Sequence, residues 1–416
     1  MLNIKYIKKY KNYVIKSLKL RKFKNKNIIN KILLLYNKIN KKNIILNKYL
    51  NILKNNYKNK NLIIKKKNYK NINIIKIKKK KIKNIINNLK NKYLKYLIKV
   101  PNILNKKYFL KKNNNNKIIY NNYKNIKNKI KKKKYLSHIE LSKKYDIFET
   151  KISSKISGTG FVIYYGLGLL LYNSLVRFLL SYNNKKGYKE YILPYLVNKN
   201  SIYGTGQFPD KKNQVYNIKK DNLYLIPTGE VPLVNFYSNK IFNYKDLPIK
   251  SQTYTQCFRR EAGSYGKKVK GLNRLHQFGK VEIIEISDNN SNIRLNKMLK
   301  HIKNVLKLLK LYFRIKLLSS EKIGITSSIT YDFEVYSFGQ KKWLEVSSLS
   351  NCLNYQSNEL KIYYYNKSNK KELCNTLNGS CISIPRLLLC IIEMYQNNNG
   401  IKIPKVLIPY YKNNYE

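Results

Sequence analysis

Acidic residues are what this 416-residue chain most lacks: 20 Asp and Glu stand against 86 Lys and Arg, a formal net charge of +66. No acid precedes Glu140, whereas residues 1–139 hold 44 Lys and Arg. A helix in that region cannot use Glu–Lys pairs on its exposed face, and neighbouring lysines repel one another. Such a surface disfavours cationic partners and suits polyanions, because lysines that neutralise phosphates release counterions. The abundance of Lys, Asn, Ile and Tyr also matches a very AT-rich coding sequence, so selected RNA contact and mutational drift both stand as its origin. Glycine is missing before Gly158, and two composition regimes meet near residue 140. The five cysteines (Cys257, Cys352, Cys374, Cys381, Cys390) form no C-x-x-C pair and there are only three histidines. A zinc site is therefore not expected, and an odd count without a signal peptide fits reduced thiols in a cytosol-like compartment. No charge-free apolar run approaches the roughly 18 residues a membrane-spanning helix needs.

Residues 28–53 place Ile28, Ile32, Leu35, Ile39, Leu46, Tyr49 and Leu53 at alternating spacings of four and three, interrupted at Lys42. Residues 75–100 repeat the pattern with Ile75, Ile82, Ile86, Leu89, Tyr93, Tyr96 and Val100, with Lys79 in one seam position. This spacing predicts two coiled-coil helices folded into an antiparallel hairpin, with its tip at 57–71 and its end at Pro101. A disordered Lys/Asn tract is the alternative. Residues 106–135, with the run Lys111-Lys112-Asn113-Asn114-Asn115-Asn116-Lys117, read as a linker between an arm (1–105) and a main domain (136–416). From Ser137 the pattern predicts helices over 167–182, 292–311 and 384–395. It predicts strands over 188–197, 223–227, 253–259, 281–286, 331–336 and 343–349, with Pro194 inside the first. Strands separated mostly by turns imply an α+β fold, an antiparallel sheet flanked by helices.

The chemistry-bearing residues cluster in five short segments. Phe258-Arg259-Arg260-Glu261-Ala262-Gly263-Ser264 is followed by Leu275-His276-Gln277-Phe278-Gly279-Lys280-Val281-Glu282. An arginine and an acid this close suit a nucleotide, the guanidinium gripping a phosphate and the carboxylate accepting from a base or ribose. Thr228-Gly229-Glu230 lies upstream, and an acceptor beside a carboxylate can receive the N–H donors of an ammonium group. Glu345-Val346-Ser347-Ser348 and Asn378-Gly379-Ser380, the latter with Arg386 six residues after Ser380 at a helix start, lie downstream. Together these segments resemble the bacterial-type seryl-tRNA synthetases, class II aminoacyl-tRNA synthetases. The resemblance is strongest over 158–411; before residue 135 only general character, Met1-Leu2 and Pro101-Asn102 match.

The resemblance implies an N-terminal antiparallel two-helix coiled-coil arm followed by a class II antiparallel-sheet catalytic domain. It implies activation of L-serine with ATP and transfer of the seryl group to the terminal adenosine of tRNA(Ser), with tRNA(Sec) a further acceptor. Serine would be held by Thr228, Glu230, Arg259, Glu282, Asn378 and Ser380. ATP would be held by Arg259, Arg260, Glu261, Phe278, Glu345, Val346, Ser347, Ser348 and Arg386, with Arg260 an exposed bystander of the pair. Arg259 and Arg386 are the implied catalytic residues, and Glu345 and Ser348 the implied Mg²⁺ ligands. His276 is read as a structural or positioning residue, since this chemistry needs no protein nucleophile. The segment from Gly187 through Pro194 to Gly204-Thr205-Gly206-Gln207-Phe208-Pro209 looks like motif 1, which implies a homodimer, and the basic arm implies a grip on tRNA. Nothing precedes the usual family start, which favours a cytoplasmic mature chain over an organellar one, and no membrane partner is implied. Two departures stand out. Cys381 occupies a position where the family usually has Gly, which would narrow or stiffen the pocket, and Asn358-Glu359 replaces a usual pair of arginines. The rival readings are a paralogue that charges a carrier protein, a non-catalytic RNA-binding relic, and activation of threonine or alanine.

Overall fold

The computed structural model describes residues 1–25, 27–58, 69–110, 115–123, 134–210, 213–261 and 271–412. The chain divides into two compact units, Met1–Ile103 and Leu104–Glu416.

In the first unit, α1 (Ile4–Lys9) and α2 (Lys11–Leu20) precede two long helices, α3 (Ile28–Lys58) and α4 (Tyr69–Leu97). Asn3 caps α1 by accepting from the Lys5 N–H. Ile28, Ile32, Ile39 and Leu53 of α3 are buried, as is Ile86 of α4, while Leu34, Ile44, Ile77 and Ile85, off that seam, are exposed. The Tyr36 and Tyr93 ring centres lie 6.3 Å apart and the Lys31 ammonium lies 6.0 Å from the Tyr96 ring, so the two helices run antiparallel. The expected hairpin tip falls mostly on residues outside those described.

The second unit is built on an eight-stranded sheet. In chain order its strands are β1 (Lys117–Asn121), β2 (Lys189–Glu190), β3 (Ile249–Phe258), β4 (Gln277–Ser287), β5 (Phe313–Leu317), β6 (Ile329–Ser337), β7 (Lys342–Leu353) and β8 (Asn375–Ser383). Their spatial order is β1-β5-β6-β7-β8-β4-β3-β2, antiparallel except for the β2–β3 edge pair. Around the sheet lie α5 (His138–Lys144), α6 (Gly166–Asn184), α7 (Glu230–Asn235), α8 (Ser291–Leu308), α9 (Tyr355–Leu360) and α10 (Ile384–Tyr395). One sheet face is covered by α6, α8 and α10, through side chains such as Leu175, Ile302, Leu388 and Ile391 that water does not reach. Burial of each such side chain stabilises the fold by about 2 kcal/mol. Arg294 at the start of α8 bonds Glu285 of β4 at 2.5 Å, and Tyr188 donates to the same carboxylate at 2.6 Å, which pins helix to sheet. The five cysteines are free and buried.

Two expectations need correction. The segment 106–135 is not simply a linker: Lys117–Asn121 pairs with β5 at the sheet edge, Tyr108 donates to the Leu318 carbonyl at 2.9 Å, and the Tyr120 ring sits 5.5 Å from Phe313. Its polar composition hid a short run, Ile118-Ile119-Tyr120, that an edge strand can use. The strand expected over 188–197 is broken into Lys189–Glu190 and Leu196–Asn198. Pro194 between them has no N–H to give a ladder. The segment around it stays on the surface, with Ile192 95% exposed.

Candidate active site

The sheet face opposite the helices is lined with polar side chains, and strand alternation explains which. Phe278, Lys280 and Glu282 recur every second residue along β4 and so share one face. Glu282 faces Ser380 of β8 on one side and Thr253 of β3 on the other. Asn378 sits opposite Ser350 of β7, and Ser348 opposite Asp332 of β6. Two β-bulges adjust this pattern. The β4–β8 register slips between Val281 and Glu282, leaving Cys381 as the extra residue; the β6–β7 register slips between Phe333 and Glu334, leaving Val346 extra. Bulges next to a site re-aim the side chains that flank them, here Ser380 on one strand and Glu345 with Ser347 on the other.

A cavity of about 1110 Å³ opens over this face. Thr228, Glu230, Arg259, Lys280, Glu282, Asn378 and Ser380 all contribute to its wall. The Thr228-Gly229-Glu230 loop lies directly on β3: a Cβ on Gly229 would stand 2.9 Å from the Thr255 hydroxyl, so this close approach requires glycine. Glu230, the first residue of α7, is buried, and its Oε1 accepts from Gln356 Nε2 at 2.6 Å and from Asn378 Nδ2. Thr376 in turn donates to Gln356 Oε1 at 2.7 Å. Burial pushes the Glu230 carboxyl up to about 7, with the Glu282 charge adding to the shift and Gln356, Lys280 and Asn378 opposing it. Beside it, the buried Lys280 ammonium lies 2.5 Å from Glu282 Oε2 and donates to Thr228 Oγ1 (2.7 Å) and Ser380 Oγ (3.2 Å). Thr228 and Ser380 both donate to Glu282, at 3.1 and 3.4 Å.

An adjoining cleft shares Arg259, Glu261, Arg274, Lys280, Glu345, Ser348 and Ser380 with the cavity and adds Phe278, Val346, Ser347 and Arg386. The Arg259 guanidinium lies 5.2 Å from the Phe278 ring centre, while its Nε donates to the Pro227 carbonyl at 3.2 Å. Glu261 adopts a left-handed backbone, φ +48°, a strained state for a residue with a Cβ, and is paired with Arg274. Arg386, near the N-terminus of α10, donates to the carbonyls of Glu345 (2.8 Å) and Asn273 (3.2 Å). Desolvation lowers its pKa from the usual guanidinium value. On β6, Asp332 is pushed up to about 7 by burial and by Glu345, against a hydrogen bond from Ser348. Among the described residues no three His, Cys, Asp or Glu side chains converge as a metal cage. Glu345, Ser348 and Asp332 offer hard oxygen donors that suit Mg²⁺ when phosphate oxygens complete the shell.

Most of the residues singled out in the sequence therefore meet in two adjoining hollows. Arg260 does not: its N–H donates to the Gln214 carbonyl, its side chain is exposed, and it lines neither hollow. One residue further along the strand end, it faces away from Arg259. Cys381 does not narrow the cavity either. It faces the opposite side of the sheet, fully buried, with its sulfur 3.6 Å from Asn183 Oδ1 of α6. His276 lines neither hollow; it stacks on Phe161 and its Nδ1 is 2.9 Å from the Tyr216 hydroxyl. Sequence reasoning missed Lys280, Gln356, Thr376, Arg274 and Asp332. The period-two pattern from Phe278 to Glu282 carried the signal for Lys280. Arg274 meets Glu261 thirteen residues away along the chain, a pairing no local pattern encodes.

Comparison with known proteins matches this arrangement. The family described as tRNA synthetase class II core domain (G, H, P, S and T) matches residues 214–395. A serine–tRNA ligase from Methylacidiphilum infernorum (isolate V4) is 44% identical over 282 residues, 67% of each chain. One from Wigglesworthia glossinidia brevipalpis is 46% identical over 287 residues, again 67% of each. The crystal structure of seryl-tRNA synthetase from Pyrococcus horikoshii complexed with ATP superposes with a TM-score of 0.87 at 27% identity, covering 99% of this chain and 98% of that one. With its antiparallel sheet, its paired hollows and relatives at this level of identity, the chain belongs to the serine–tRNA ligase family of class II aminoacyl-tRNA synthetases.

Proposed function

We propose that the cavity and cleft carry out the two steps of seryl-tRNA formation. The serine carboxylate attacks the α-phosphorus of ATP, forming seryl-adenylate and releasing pyrophosphate. A ribose hydroxyl of the terminal adenosine of tRNA(Ser) then attacks the activated carbonyl, and AMP leaves. The observation that carries this reading is the change of charge across the hollows. Glu230 and Glu282, buried beside small hydroxyl and amide groups, line the cavity alone; Arg386 lines the cleft alone, and Arg259 and Arg274 line both where they adjoin.

In this assignment Glu230 and Thr228 receive the serine ammonium, and Asn378 orients Glu230. Glu282 accepts from the serine hydroxyl, with Ser380 closing the pocket. Lys280 pairs with Glu282 and fixes its place in the pocket. A site that hydrogen-bonds a hydroxyl rejects alanine strongly and threonine only by steric exclusion. Adenine stacks on Phe278, Glu261 accepts from its amino group, and Arg259 contacts the α-phosphate and the serine carboxylate. Arg386 clamps the far end of the triphosphate, with Val346 and Ser347 in the cleft wall. Glu345 and Ser348 would hold Mg²⁺, which when bound supplies charge neutralisation on the phosphates. Rate enhancement comes from positioning and from charge stabilisation of the phosphates, with no covalent enzyme intermediate.

The acid-free hairpin of α3 and α4 grips tRNA through phosphate and shape contacts. The exposed Ile192, Tyr195 and Leu196 around Pro194 support a dimer formed with a second copy. Among the described residues no helix is long and apolar enough to cross a membrane. Amino-acid-dependent ATP–pyrophosphate exchange tests the activation step. Serine drives exchange, alanine and glycine do not, and Arg259→Ala lowers the rate about 100-fold or more. Folded protein that exchanges with no amino acid refutes the proposal.

A further inference from the structure

His138 opens α5 behind the cleft wall and is 1% exposed. Both ring nitrogens have partners. Nδ1 is 2.9 Å from Glu393 Oε1, and the His138 backbone N–H donates to the same oxygen at 3.0 Å. The other Glu393 oxygen accepts from the Ser337 hydroxyl and from the Gly339 N–H at 3.0 Å. Nε2 accepts the Leu272 N–H at 3.3 Å. Donating at Nδ1 and accepting at Nε2 requires a neutral imidazole protonated at Nδ1. The Gln340 amide nitrogen, 3.5 Å from Nδ1, is a weaker neighbour. Gly271 seals the contact: its φ is +64°, and a Cβ there would stand 2.2 Å from Nε2.

Each partner leads to the cleft. Glu393 lies on α10 seven residues, about two turns, beyond Arg386. Leu272 is followed by Asn273, whose carbonyl accepts from Arg386 Nε, and by Arg274, which pairs with Glu261. We infer that His138 is a positioning residue for ATP, a neutral imidazole that clips the Gly271–Arg274 turn to the helix carrying Arg386 and so sets the spacing of Arg386, Arg274 and Glu261. The inference rests on the assignment of those three residues to the nucleotide. Thr228, Glu230 and Asn378 hang from other elements, so the clip acts on ATP and leaves serine binding alone.

The test uses the full chain and three variants. His138→Asn can still donate toward Glu393 but is too short to reach Leu272. His138→Gln places an acceptor near Leu272, and Gly271→Ala pushes on the imidazole. In serine-dependent exchange, His138→Asn and Gly271→Ala raise the KM for ATP about tenfold, while the KM for serine stays within about twofold. His138→Gln recovers most of the ATP affinity. Calorimetric titration with a non-hydrolysable ATP analogue gives the same order without turnover. If His138→Asn does not fold, His138→Gln and Gly271→Ala decide the matter by the same split. The inference is overturned if folded variants bind ATP as the unaltered chain does, or if ATP and serine weaken together. Failure of the underlying assignment shows separately, as absence of serine-dependent exchange in the unaltered chain.

Discussion

Replacing Lys280 with Met keeps an unbranched side chain of similar length but removes the ammonium that sits 2.5 Å from Glu282. Glu282, 2% exposed, then keeps, among the described residues, the hydroxyls of Thr228 and Ser380, at 3.1 and 3.4 Å. Removing one partner of a buried ion pair typically costs about 3–5 kcal/mol. Lys280→Met is therefore expected to lose about 3–5 kcal/mol of stability at pH 7. Adding Glu282→Gln removes the stranded charge and returns most of the loss, a non-additive cycle as expected for residues in contact. The assay is urea unfolding followed by the fluorescence of Trp343, the single tryptophan, which lies on β7 and reports the second unit. A pH 7 deficit under about 0.5 kcal/mol, or additive losses in the double variant, would refute the reasoning.

Glu230 titrates near 7 in the native protein, above its unfolded value. The native state thus binds more protons, and stability falls as the pH rises from about 4.5 through 7; Glu230→Gln is expected to flatten that slope in denaturation measured across pH. An incoming ammonium favours the ionised carboxylate, so serine binding at pH 6.5 releases protons. Calorimetry in buffers of different ionisation enthalpy would detect this, and a buffer-independent heat would contradict it. Cys381→Ala is expected to leave the KM for serine within about twofold, because the sulfur faces Asn183 on the far side of the sheet; a large change in exchange kinetics would restore a pocket role. Arg274→Ala frees Glu261 and should raise the KM for ATP about tenfold in the same exchange assay, with serine little affected.

How far the site could be read in advance depended on how local its pattern was. Phe278, Lys280 and Glu282 lie on one strand, where alternation alone puts them on a common face. Thr228 and Glu230, or Glu345 and Ser348, each share a short segment whose residue types already suit an ammonium or a phosphate-bound cation. Arg260 adjoins Arg259 but a strand end sends neighbours to opposite sides, which leaves it the exposed bystander of the pair. Cys381 misled because it follows Ser380 directly, and the bulge that leaves it unpaired depends on β4 as well as β8. The strand at 117–121 went unread because an edge strand needs few apolar residues, and its partner lies nearly 200 residues later.

By itself the sequence determined the acid-free helical pair, since heptad spacing specifies a buried seam whatever the charge outside it. It likewise determined the sheet-and-helix character of the remainder and the residue types suited to serine and ATP, because these are written in short-range periodicity and motif. Tertiary structure alone decided that Gln356 and Thr376 hold Glu230, that Arg274 holds Glu261, and that His138 joins Glu393 to Leu272. The reason is physical. Each of these contacts is a buried polar group satisfied by a partner remote along the chain, and which remote partner satisfies it is fixed only when the strands and helices have packed.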